Sequence, residues 1–140
     1  MKLVPYKSCG VFHAGMAYGE VKSRFSDHDE FQKSEFPDHV TSKVMGYTVH
    51  VYYSRDGQCE GVEIMKPTYA EWDGIKLGDR PIFGLMSDLR EKGIEFTEDT
   101  YGIDCRELGI GTYSHDHVVG EDGPINAVYV TFEDDFFDRD

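Results

Sequence analysis

The sequence predicts an α+β protein in which an antiparallel sheet carries helices on one face, and three features lead there. Ile82, Leu85, Met86 and Leu89 follow the i, i+3, i+4, i+7 spacing of an amphipathic helix. Residues 47–53 alternate with the period of two that marks a strand. The order of these patterns, a glycine-marked approach, a helix, a polar connection and then strands, occurs twice along the chain. The 140 residues are expected to form a single domain, 1–140, whose halves 1–70 and 71–140 read as a degenerate internal repeat.

In the first half, Gly10-Val11-Phe12-His13-Ala14-Gly15-Met16 precedes Tyr18, Val21 and Phe25, which share one helical face. Gly19 lies inside that helix and costs about 1 kcal/mol relative to Ala, so the helix is expected to be short. Residues 27–38 are polar but carry Phe31 and Phe36, as a loop or short strand pinned by aromatics would. The alternation over 47–53 sets Tyr47, Val49, Val51 and Tyr53 on one face and Thr48, His50 and Tyr52 on the other. Ser54-Arg55-Asp56-Gly57 is hairpin chemistry, because Asp-Gly accepts positive φ, and 59–65 is the return strand.

In the second half, Gly74-Ile75-Lys76-Leu77-Gly78-Asp79 leads to Pro81, whose fixed φ suits a first helical turn. The helix is expected over about 79–92, with Arg90 and Lys92 complementing its dipole and Gly93 ending it. Residues 101–113 are strand material and 125–132 close the half, with Val128, Val130 and Phe132 on one face. Tyr53-Ser54-Arg55-Asp56 and Tyr113-Ser114-His115-Asp116 fall sixty residues apart at equivalent places, where each Asp reads as a turn residue.

Composition narrows the function. Hydrophobic residues at 39% and aromatics at 14% exclude a disordered chain. Fourteen Lys and Arg against twenty-seven Asp and Glu leave a net charge of -13, a field that repels phosphate backbones and anionic lipid and attracts basic proteins. Neither nucleic-acid binding nor membrane association is expected. No apolar stretch approaches the ~20 residues of a bilayer span, and the opening residues lack the apolar core of a secretory signal, so a cytoplasmic location is expected. Cys9, Cys59 and Cys105 are odd in number and contain no Cys-x-x-Cys pair, which points to buried small side chains rather than a disulfide framework or thiolate zinc site.

The most enzyme-like cluster is His115-Asp116-His117, which could centre a metal-assisted hydrolase, although no third partner for the two imidazoles is identifiable. Asp27-His28-Asp29-Glu30 fails the calcium-loop pattern, since Gln32 stands where the loop needs glycine. There is no Gly-x-Ser-x-Gly elbow, no P-loop and no Gly-x-Gly-x-x-Gly, so neither nucleophilic catalysis nor a nucleotide cofactor is indicated. Three acidic segments remain: one with Glu20, Asp27, Asp29, Glu30, Glu35 and Asp38; one with Glu95, Glu98, Asp99, Asp104 and Glu107; and the tail. In the tail, Glu133, Asp134, Asp135 and Asp138 surround Phe136 and Phe137, the combination of charge and aromatic anchors with which interfaces steer and bury a partner.

A small acidic chain of this kind resembles the immunity proteins that neutralise bacterial nuclease toxins. Its doubled plan resembles the tandem α/β layout of β-lactamase inhibitor proteins, and Gly15-Met16-Ala17-Tyr18-Gly19-Glu20-Val21 is similar to the Gly-Met approach to the helix of such modules. The resemblance implies a stoichiometric inhibitor of a basic toxin or enzyme rather than a catalyst, with no cofactor. It transfers no site residue. A structural adaptor is the remaining alternative.

Overall fold

The computed structural model describes residues 1–32, 39–115 and 118–138. The first half begins with three short strands, β1 (Leu3–Val4), β2 (Ser8–Cys9) and β3 (Phe12–His13), followed by α1 (Tyr18–Arg24) and by β4 (Asp29–Phe31), β5 (Thr41–Val44), β6 (Val49–Tyr53) and β7 (Cys59–Met65). The second half follows the same order. The hairpin β8 (Glu71–Trp72) and β9 (Ile75–Lys76) leads to α2 (Ile82–Glu91), then to β10 (Thr97–Glu98), β11 (Ile103–Cys105), β12 (Ile110–Tyr113) and β13 (Ala127–Thr131), and a 3-10 turn at Phe136–Asp138.

Each half thus supplies a helix and a four-stranded meander. The meanders join through their last strands, so that the large sheet runs β10-β11-β12-β13-β7-β6-β5-β4 and is antiparallel throughout. In register, Val128 pairs Ile64 and Val130 pairs Val62, while Ile64 pairs Val49 and Val62 pairs Val51. All six are buried and belong to one core with Val21 of α1 and Ile82, Leu85, Met86 and Leu89 of α2. Both helices therefore lie on the face of the sheet that these residues define, as the period of two along β6 and β13 requires.

The ends of the elements correct two expectations. Tyr47 does not extend the buried face of β6. Met45, Gly46 and Tyr47 form the β5–β6 turn with φ of 54°, 66° and 65°, and Tyr47 is exposed. Two polar contacts hold this left-handed run: Asp27 Oδ2 accepts the Gly46 N–H at 2.7 Å, and Thr48 Oγ1 donates to the Met45 carbonyl at 2.7 Å. Pro81, in turn, is not the first helical residue. It is the N-cap, with ψ of 140°, and the first-turn amides are satisfied from a distant loop: Ile82 N–H donates to the Gly123 carbonyl at 2.8 Å and Phe83 N–H to Asp122 Oδ1 at 3.0 Å. The far end behaves as expected. Gly93 takes φ of 72°, its N–H bonds to the Arg90 carbonyl, and that of Ile94 bonds to the Leu89 carbonyl, a Schellman close.

Cys9, Cys59 and Cys105 are free and buried. Burial pushes the Cys9 thiol up to about 11 and the Cys59 thiol up to about 12, which keeps both protonated at neutral pH. No helix among the described residues is long and apolar enough to cross a membrane.

Candidate protein-binding face

Alternation that buries one face of the sheet must present the other. On that second face β6 sets His50 and Tyr52, β7 sets Gly61, Glu63 and Met65, and β13 sets Ala127, Tyr129 and Thr131. Neither α1 nor α2 packs on it; His50, Tyr52, Glu63, Met65 and Tyr129 are half-buried, whereas Gly61, Ala127 and Thr131 are buried and the 3-10 turn brings Phe136 onto Tyr129.

Aromatic rings cross this face in a row. Phe31 meets His50 edge-on at 5.1 Å, Tyr52 lies 5.7 Å from Tyr129, and Tyr129 lies 5.3 Å from Phe136, which meets Phe137 at 5.2 Å. A second group, Tyr101 stacked on Tyr113 at 5.4 Å with His115 edge-on at 5.1 Å, stands at the end of β12, with Tyr101 57% exposed. Burial, and for Tyr52 the charge of Glu63, raises the Tyr52 and Tyr129 hydroxyls above the ordinary phenol range, so both act as neutral groups.

The acidic segments frame the row instead of converging on one spot. Asp29 and Glu30 lie on β4 at one edge of the sheet and Glu98 on β10 at the other, with Asp104 next to it on β11. Several of these carboxylates also hold the chain. Asp99 Oδ1 accepts the N–H groups of Tyr101 at 2.8 Å and Gly102 at 3.0 Å, and Glu98 Oε2 accepts that of Gly120 at 2.8 Å. Burial, with the neighbouring Asp99 charge, pushes the Asp104 carboxyl up. Glu35 and Asp38 lie outside the described residues.

The tail residues expected to bind a partner fold back on their own chain. Phe136 packs on Tyr129, Asp138 pairs with Arg106, and an Arg106 guanidinium N–H donates to the Phe137 carbonyl at 3.2 Å. Phe136 and Phe137 are half-buried, whereas Asp134, Asp135 and Asp138 are exposed and Glu133 is intermediate. Phe137 and Arg106 border a cavity of about 730 Å³ together with Arg90, Ile94, Phe96 and Asp104. The tail is therefore one margin of the aromatic face rather than a free arm.

For the alternative cluster, His115 is placed by its N–H donating to Asn126 Oδ1 at 2.8 Å, while Asp116 and His117 lie outside the described residues. No group of three or more His, Cys, Asp or Glu suited to a metal ion occurs among the described residues. His28 and His39 lie with Tyr18 and Tyr53 beneath α1. His28 Nε2 is 2.7 Å from Ser42 Oγ, which is 2.6 Å from the Tyr53 hydroxyl; Ser42 is fully buried.

The residues the sequence reading missed are Tyr52, Glu63 and Tyr129. Their signal was present: β6 and β13 carry large rings at positions facing away from the core, where a solvated strand face would carry small or charged side chains. No family model matches the chain, and comparison with curated proteins and with solved structures gives no significant match.

Proposed function

We propose that this chain is an acidic binding protein that blocks a basic toxin or enzyme by stoichiometric contact, as a bacterial immunity protein in the cytoplasm would, and that the helix-free face of the large sheet is its contact surface. One observation supports the reading above the others: an aromatic row from Phe31 to Phe136 lies on an open sheet face between acidic margins, in a chain of net charge -13. Rings of this kind are the residues that dominate interface energetics once desolvated. The surrounding carboxylates raise the rate of encounter with a basic surface, while the rings set how slowly the complex parts.

The test is capture followed by inhibition. The tagged chain, expressed in its own cells, is expected to retain a basic protein at one equivalent, and titration back onto that protein is expected to abolish its activity at a 1:1 ratio. A captured protein that keeps full activity when saturated would remove the inhibitor reading, and substrate turnover by the isolated chain would remove the binding class altogether.

A further inference from the structure

We propose that the cleft between the end of α2 and the tail binds a small zwitterion with an apolar body, a free amino acid or a short peptide with both ends free, whose carboxylate meets Arg90 and whose ammonium group meets Asp104.

The cleft measures about 730 Å³, within the ~300–1,000 Å³ range of small-molecule sites. Its apolar walls come from Ile94 and Phe96, just beyond the glycine that ends α2, and from Phe137 of the 3-10 turn. Two charges of opposite sign line this space without pairing. Arg90, exposed in the last turn of α2, lies over the Phe96 ring at 5.1 Å and makes no ion pair among the described residues. Asp104, half-buried on β11, has no cation as a partner among them either. Arg106, the other cation of the lining, is taken by Asp138 and the Phe137 carbonyl.

In a chain with twenty-seven Asp and Glu, an arginine without a carboxylate is an exception, since Arg24, Arg80 and Arg106 each have one. The charges around Arg90 also restrict what can enter. A simple anion is repelled by Asp104, by Glu95 in the same lining and by the net charge of -13, and a simple cation meets Arg90. A neutral apolar molecule strips water from both groups and returns no partner to either. A molecule with one charge of each sign answers both. Its carboxylate accepts from the guanidinium fork, and its ammonium group beside Asp104 offsets the burial and the Asp99 charge that push that carboxyl up.

The experiment titrates isotope-labelled protein with phenylalanine and, separately, with the dipeptide alanyl-phenylalanine, and repeats each titration with the N-acetyl derivative, which lacks the ammonium group, and the C-terminal amide, which lacks the carboxylate. Saturable amide shifts centred on Arg90, Phe96, Asp104 and Phe137 are expected with at least one of the two zwitterions, the tighter of them identifying amino acid or peptide. Either derivative should bind at least tenfold more weakly than its parent. Arg90→Gln should abolish the preference for the parent over its amide and keep the preference over the N-acetyl derivative, and Asp104→Asn should do the reverse, a crossed pattern that loss of structure would not produce. Melting temperatures and amide spectra check that both variants fold, and the derivatives test the same two contacts on the wild-type chain. No saturable shift at tens of millimolar of either zwitterion, shifts centred away from the cleft, or a derivative that binds as tightly as its parent would each overturn the assignment.

Discussion

Tyr52 and Tyr129 stand 5.7 Å apart although their strands are not neighbours, because β7 runs between them and contributes glycine at the point where their side chains converge. A Cβ at position 61 would meet the Tyr129 hydroxyl and, at 2.7 Å, the Val130 carbonyl oxygen. The second contact is backbone and cannot swing away. Gly61→Ala is therefore expected to destabilise the fold by about 1–3 kcal/mol, the usual cost of overpacking, read as a lower urea midpoint. It should also part the two rings, visible as a change in near-ultraviolet circular dichroism. An unchanged midpoint would mean that Tyr129 and the Val130 carbonyl do not fill the space over Gly61.

On the opposite face the helix stripe carries the core. Leu85 is fully buried within the cluster that unites α2 with the sheet, and Leu85→Ala should cost about 2–5 kcal/mol in chemical denaturation, from lost transfer free energy and the cavity left behind. Phe83, 42% exposed on the same helix, should tolerate Ala with a change of about 0.5 kcal/mol or less.

That contrast also shows what the sequence made legible. Periodicity specifies which side of an element is apolar, so the α2 stripe, β6 from Val49 onward, β7 and β13 could be read directly. Local pattern does not hold contacts made over long separations. The Asp122 carboxylate that caps α2 lies thirty-nine residues from Phe83 in sequence, and Asp27 fixes the turn that removes Tyr47 from β6 from nineteen residues before Gly46. The candidate site was harder still. In the tail, charge and aromatics are adjacent in sequence, whereas Tyr52, Glu63 and Tyr129 meet only once three strands are laid side by side.

The buried thiols give a pH dependence with a definite sign. Cys9 and Cys59 hold their protons up to about 11 and about 12 in the folded chain, against 9.0 for a free thiol. The folded state therefore binds more protons than the unfolded state between these values. Stability from this source is complete below about pH 9 and is lost as pH rises through the folded values. Urea midpoints should be level from pH 7 to 8.5 and fall above pH 9. A disulfide-exchange reagent at pH 8 should label no thiol in the native protein and all three in denaturant. Rapid labelling of the native chain would contradict the burial.

The tail should separate steering from docking. Asp138 and Arg106 are both more than half exposed, so Asp138→Asn should change stability by less than about 1 kcal/mol. Joined with Asp134→Asn and Asp135→Asn, it should slow association with the captured basic protein. Raising salt should act in the same direction, since the Debye length contracts from ~30 Å at 0.01 M to ~8 Å at 0.15 M. Phe136→Ala, by removing the ring packed against Tyr129, should instead speed dissociation and lower the melting temperature together. Association rates insensitive to both salt and the triple substitution would remove the electrostatic mechanism.

The central claim is that the partner sits on the helix-free face, and cross-saturation transfer in the complex tests it most directly. With the captured basic protein protonated and this chain deuterated except at its aromatic rings, irradiation of the partner should attenuate the ring signals of Phe31, Tyr52 and Tyr129, and leave those of Phe83 and Tyr69, which are exposed outside the sheet's open face, at full intensity. Attenuation at Phe83 and Tyr69 with Tyr52 and Tyr129 untouched would place the partner elsewhere and contradict the account.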